Sequence, residues 1–141
     1  MQAERAKLRR LKRLERVRAI ARETAAADAA EAEGTLARLL ALAGRTSDLA
    51  GSYSGRADAR DAFELQQLLR FAQGLDQVAR ATRADSARAQ ELADHRQAEL
   101  ATAERRRAVV EERAVATARI VAARRQTPVL SARRTVGTEL D

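Results

Sequence analysis

Cysteine is absent from the 141 residues, proline occurs once, and the aromatic residues are two Phe and one Tyr. Without thiols, disulfide frameworks, cysteine-built zinc clusters and thiol nucleophiles are excluded. The single histidine, His95, has no second imidazole to share a metal and no partner set for a Ser/His/Asp triad. It reads instead as a solvated helix residue four positions after Glu91. No apolar run approaches the roughly 18 residues that a membrane span requires. Leu8, Leu11 and Leu14 are separated by Arg and Lys rather than fused into a signal-peptide block, and Glu4, Glu15 and Glu23 argue against a transit peptide. These absences point to a non-enzymatic, cytoplasmic protein with no cofactor, no metal and no small-molecule substrate.

Bulk is also scarce. Alanine supplies 34 of the hydrophobic residues, leaving 30 (16 Leu, 8 Val, 2 Ile, 2 Phe, 1 Tyr and 1 Met) to fill a core. That is too thin for a close-packed globule. Ala, Glu, Leu, Lys and Arg dominate the composition, the signature of long helices or coiled coil. The expected fold class is all-α: an antiparallel two-helix coiled-coil hairpin with a longer second helix, spanning residues 1–126 as a single unit.

Residues 3–43 contain no proline and only one glycine, Gly34, and read as the first helix. Its apolar positions, Val17, Ile20, Thr24 and Ala27, then Leu36, Leu39 and Ala43, fall in two registers, which predicts a seam shift near Glu31 to Gly34. Gly44 supplies a terminating position. Residues 44–57, with three glycines and three serines, read as a loop. Ser54 or Asp58 is available to cap the next helix, and Asp58, Asp61 and Glu64 place negative charge in its first turns.

The second helix is predicted over residues 58–126, ended by Thr127-Pro128, because the proline ring disfavours helical geometry in the residue before it. A strict seven-residue register puts Leu65, Leu68, Ala72, Leu75, Ala79, Thr82, Ser86, Ala89, Ala93, Arg96, Leu100, Ala103, Arg107, Val110, Ala114, Thr117, Val121 and Arg124 on one stripe. Small residues there suit a close antiparallel pair. Residues 127–141 lack periodicity and read as a flexible tail. Counted back from the loop, Ala3 would lie near Ala98, so residues 99–126, with Val109, Val110, Val115, Ile120 and Val121, would project without a partner. That overhang would need another protein or a second copy.

Charge is unevenly placed. Residues 1–23 hold nine basic and three acidic side chains, residues 24–104 nine and thirteen, and residues 105–134 nine and two. An antiparallel hairpin gathers both basic segments toward its open end. On a helical wheel Arg5, Arg9, Lys12, Arg13 and Arg16 share one arc, with Leu11 and Leu14 opposite. Arg5/Arg9, Arg9/Arg13, Lys12/Arg16 and Arg18/Arg22 are like-charge pairs four apart, each opposing the helix by about 0.2 to 0.5 kcal/mol. An acidic partner would relieve that repulsion; a solvated face is the plainer alternative. Nucleic acid is a candidate partner for any cationic surface. Three aromatics leave little for base stacking, and no recognition module is present. Anionic lipid is a weaker candidate, lacking an aromatic anchor.

The layout as a whole resembles the FliJ family, the soluble stalk proteins of the bacterial flagellar type III export apparatus, and more loosely their virulence-secretion counterparts. The resemblance runs over about residues 3–126. It rests on the Arg-rich start LKRLERVRAIARE, a loop with an isolated tyrosine, the stretch FELQQLLRFAQGLDQVA, and a charged second helix holding AVVEERA. The resemblance implies a two-helix coiled coil similar to the shaft of rotary ATPases. Its basic open end, here Arg5, Arg9, Lys12, Arg13, Arg16, Arg105, Arg106, Arg107 and Arg113, would enter the pore of the hexameric export ATPase. A face nearer the loop, here Phe71, Leu75, Val78 and Thr82, would touch the export gate, a membrane protein. Arg38, Leu42, Arg45 and Leu49 would face the gate from the first helix and loop, where the family pattern favours aromatic residues. The alternative for Phe71, Leu75 and Val78 is seam packing: Leu75 fits the seam register, while Phe71 and Val78 sit beside it. Export chaperones are further partners that the resemblance implies, with a place in the cytoplasm, peripheral to the inner membrane at the flagellar base.

Overall fold

The structure, a computed structural model, describes residues 1–55 and 60–134. It is all-α, an antiparallel two-helix hairpin whose second helix is the longer: α1 spans Gln2–Ser54, 53 residues, and α2 spans Ala62–Arg134, 73 residues. The propensities explain the lengths, since Ala, Arg, Leu and Glu are strong helix formers. Polar residues within the helices turn their hydroxyls onto carbonyls one turn back, as Thr24 does to Ile20, Thr46 to Leu42 and Thr82 to Val78.

The helix limits differ from the sequence expectation at three places. Gly44 and Gly51 lie inside α1, and none of the described glycines has positive φ. The composition of residues 44–54 resembles a loop, but each interior glycine costs a helix only about 1 kcal/mol. Packing offsets that cost, because Ala43, Thr46 and Ala50 from this stretch are buried. α1 therefore runs on to Ser54, and the Gly55 N–H donates to the Gly51 carbonyl. Asp58 lies outside the described residues. Ser54 serves α1 rather than α2, its hydroxyl donating to the Gly51 carbonyl at 3.2 Å. The cap of α2 is Asp61, whose Oδ1 accepts from the Glu64 N–H at 2.8 Å, while Glu64 Oε2 accepts from the Arg60 N–H at 2.9 Å. At the other limit α2 continues through Thr127-Pro128 to Arg134. A proline removes one donor and biases its predecessor, and a long established helix absorbs one missing bond. Of the expected tail, residues 135–141 lie outside the described residues.

The contacts divide the chain into two units, one formed by Met1–Ala25 with the stretch from Leu100 onward, the other by Ala26–Glu99. In the second unit, Gln97 Nε2 donates to Glu33 Oε1 at 2.7 Å and Arg83 Nη2 to Ser47 Oγ at 3.3 Å. The Tyr53 and Phe71 rings meet edge to face at 4.8 Å. As numbers fall on one helix they rise on the other, so the segments are antiparallel. The seam is built from alanine and small polar residues: Ala29, Ala32, Ala43, Thr46 and Ala50 of α1 and Ala72, Ala79, Thr82, Ser86 and Ala93 of α2 are buried. Side chains of this size let helix backbones approach closely and add little apolar area each. On α1 the spacing Ala29, Ala32, Leu36, Leu39, Ala43 runs unbroken through Gly34, so the predicted shift of the seam is absent.

In the first unit Arg124 Nη1 lies 2.7 Å from Glu4 Oε1, and Arg22 Nη2 lies 3.6 Å from Glu104 Oε1. Val110, Ala114, Thr117 and Val121 of α2 are buried here. These two results overturn the projecting overhang. The longer α1 moves the pairing along, so Glu4 meets Arg124 rather than the region of Ala98. The α1 seam also differs from expectation: Leu8, Leu11, Glu15, Arg18 and Arg22 are half-buried, while Val17 and Ile20 are 60% and 63% exposed and Thr24 and Ala27 are exposed. Charged residues at seam positions conceal the register that apolar spacing normally shows.

Candidate functional site

Both arginine-rich segments belong to the first unit. Residues 1–25 carry nine basic and three acidic side chains, and residues 100–134 carry the same numbers. The second unit, residues 26–99, holds nine basic and twelve acidic. The seam decides which cations face solvent. With Leu8, Leu11, Glu15 and Arg18 turned inward, Arg5, Arg9, Lys12, Arg13 and Arg16 are all exposed. On α2, inward Arg107, Val110 and Ala114 leave Arg105, Arg106 and Arg113 exposed. Eight of the nine basic residues singled out in the sequence thus form the accessible surface of one unit. Arg107 is the exception, half-buried in the seam with its Nε hidden from solvent and unpartnered.

The helix spacing keeps the exposed cations from neutralising themselves. Arg5, Arg9 and Arg13 repeat at four-residue steps, and Arg105 donates to the Thr102 hydroxyl rather than to a carboxylate. Side chains so arranged hold a positive potential that reaches about a Debye length, ~8 Å at physiological salt. The arrangement attracts an acidic surface without requiring a shaped pocket.

The second group of predicted residues lies in the other unit and is divided by the seam. Phe71 and Val78 are each 52% exposed. Leu75 is half-buried and Thr82 is buried, with its hydroxyl donating to the Val78 carbonyl at 2.8 Å. The arrangement agrees with the seam register for Leu75 and puts Thr82 out of reach of a partner. From α1, Leu42 and Leu49 are 45% and 51% exposed, and Arg38 and Arg45 are exposed. Leu42, Leu49 and Val78 face solvent outside the core of their unit, while Phe71, half exposed, also meets the Tyr53 ring of α1.

Sequence reasoning missed the charged seam of the first unit. Glu4, Arg18 and Arg22 look like members of a solvated charge run, yet they face α2; Glu4 Oε2 and Arg18 Nε are hidden from solvent without a hydrogen-bond partner. Their three- and four-residue spacing with Leu8 and Leu11 was the available signal. His95 is exposed and lies 2.9 Å from Glu99. Among the described residues no helix is long and apolar enough to cross a membrane. No family model, curated protein or solved structure matches the chain.

Proposed function

We propose that this chain is a non-enzymatic stalk and adaptor of bacterial type III protein export, of the flagellar kind, as its resemblance to the FliJ family implies. Its first unit docks in the hexameric export ATPase. The exposed apolar residues of the second unit, Phe71 and Val78 with Leu42 and Leu49, contact the export gate. The reading places the protein in the cytoplasm, peripheral to the inner membrane at the flagellar base, with export chaperones as further partners.

One observation carries the reading: Arg5, Arg9, Lys12, Arg13 and Arg16 are exposed in the same unit as Arg105, Arg106 and Arg113. A shaft within a ring must turn or slide without being trapped. Long-range attraction between arginines and carboxylate-lined walls suits that better than deep apolar knobs. Leu75 and Thr82 support the coiled coil rather than the gate contact, since the seam takes both.

Adding the protein to the cognate export ATPase tests this. Hexamer formation and hydrolysis should rise with added protein and fall as salt is raised. No change at any ratio in low salt would falsify it. A duplex or single-stranded nucleic acid serves as the competing ligand, because the same exposed cations would neutralise phosphates. Binding that survives physiological ionic strength, with a steep log-linear salt dependence, would favour nucleic acid instead.

A further inference from the structure

The two flanks of each unit differ. Place Ala29, Leu36, Ala43 and Ala50 of α1 and Ala72, Ala79, Ser86 and Ala93 of α2 at the a positions of their heptads. The e residues then share one flank, and cross-helix hydrogen bonds mark it: Ser47 with Arg83 and Glu33 with Gln97. The g residues share the other flank, where Asp28 and Thr35 of α1 line one shallow groove with Leu92 of α2. The large exposed apolar side chains favour the g flank. Leu14, Leu42, Leu49, Phe71, Val78, Leu92 and Ile120 are there, against Leu40 and Leu69 on the e flank.

Charge on the g flank is sorted by unit. In the second unit its described charged residues are Asp28, Glu64, Asp85 and Glu99, all acidic. In the first unit they are Lys7, Arg106 and Arg113, all basic. Apolar residues are interspersed with these charges in both. At its g positions each unit thus carries apolar side chains and one sign of charge, the complement of the other unit's. Asp85 and Glu99 now bond neighbours on their own helix, Arg88 at 3.0 Å for Asp85 and His95 and Arg96 at 2.9 and 3.0 Å for Glu99. Those exposed pairs are cheap to exchange for pairs across an interface.

We propose that the protein pairs with a second copy of itself, the g flank of the second unit in one chain seated on the g flank of the first unit in the other. Lys7, Arg106 and Arg113 of one copy face Asp28, Asp85 and Glu99 of its partner. Leu92 and Leu42 of one copy meet Leu14 and Ile120 of the other. The charges fix which units meet, and the apolar residues supply the buried area. The pairing occupies Arg106, Arg113 and Leu42, which the proposed export function gives to the ATPase and the gate, but its test uses no export component, so either reading can fail alone.

Sedimentation equilibrium of the full chain over a wide concentration range should show a monomer–dimer equilibrium that weakens with added salt. Reversing the basic set, Lys7→Glu, Arg106→Glu and Arg113→Glu together, should weaken the dimer at least tenfold. Reversing the acidic set, Asp28→Lys, Asp85→Lys and Glu99→Lys, should do the same. An equimolar mixture of the two variants should recover dimer, because each then offers what the other lacks. Should either triple variant lose helicity by circular dichroism, Leu42→Ser with Leu92→Ser keeps every charge and should weaken the dimer at low and high salt alike. A wild-type chain that stays monomeric in low salt overturns the proposal and leaves the flank to a different protein. So does a dimer that both reversals leave intact, or a mixture that stays monomeric.

Discussion

Arg124 Nη1 and Glu4 Oε1, separated by 120 positions in sequence, lie 2.7 Å apart and tie the first turn of α1 to a late turn of α2. The pair fixes the register of the first unit, for it leaves no unpartnered length of α2 up to Arg124. Arg124 is about half exposed, 54%, whereas Glu4 is 25% exposed and keeps its Oε2 hidden without a hydrogen-bond partner. A pair of this exposure contributes to register more than to stability.

A double-mutant cycle on Glu4→Gln and Arg124→Gln should return a coupling of about 0.2 to 1 kcal/mol, the range for solvent-accessible pairs. The coupling should shrink as salt is raised. Urea unfolding of the four proteins measures it. A coupling of zero in low salt would mean that the two side chains do not meet in solution and that the register of this unit is different.

Arg107 holds an a position of α2 with its Nε hidden and unpartnered, and Arg18 of α1 has the same defect. A guanidinium held against a seam without a full set of acceptors keeps its desolvation cost and lacks the compensating bonds. Arg107→Leu is therefore expected to raise stability, by about 1 kcal/mol, at the low end of what replacing buried charge by apolar groups yields. A higher urea midpoint with an unchanged slope is the expected record. A lower midpoint would show that Arg107 makes bonds that outweigh its burial.

These seam charges also explain what was legible in the sequence. Every buried residue of α2, from Ala72 to Val121, falls on the seven-residue stripe, because small and apolar residues mark that stripe almost without interruption. On α1 the stripe through Leu8, Leu11, Glu15, Arg18 and Arg22 is half charged, while Val17 and Ile20 form an apolar spacing that faces water. Hydropathy alone selects the wrong face there. Gly44, Gly51 and three serines resemble a loop by composition, and only the burial of Ala43, Thr46 and Ala50 shows why the helix continues. For the candidate site, the exposed arginines were legible as charge. Which of Phe71, Leu75, Val78 and Thr82 face solvent needed the register: the two beside the seam do, and the two on it do not.

Glu99 is the group whose proton affinity the fold moves. A side-chain hydrogen bond from Arg96 holds its carboxyl below the ordinary value, with desolvation opposing and the charge of His95 assisting. A depressed folded-state value means that the contribution to stability is present at neutral pH and disappears as the pH falls from the unfolded value through the folded one. Carbon-detected NMR titration should place the Glu99 carboxyl below the ordinary glutamate value. Arg96→Gln should move it back upward. If Glu99 titrates at the ordinary value in both proteins, the Arg96 bond at 3.0 Å is not held in solution.

Reversing Arg9, Arg13 and Arg16 to Glu together separates a binding surface from a structural one. All three are exposed, and none stands on the seam, so no buried contact is lost. The like-charge pairs Arg5/Arg9 and Lys12/Arg16 become opposite-charge pairs, each then supporting the helix by about 0.2 to 0.5 kcal/mol, while Arg9/Arg13 stays a like-charge pair. Helicity by circular dichroism should be unchanged and the melting temperature equal or slightly higher. Stimulation of the export ATPase should nevertheless fall steeply, because reversal replaces attraction to carboxylates with repulsion. A collapse of helicity would mean that these arginines stabilise the fold. Full stimulation with an intact helix would mean that the acidic partner meets the remaining cations, Arg5 and Lys12 with Arg105, Arg106 and Arg113.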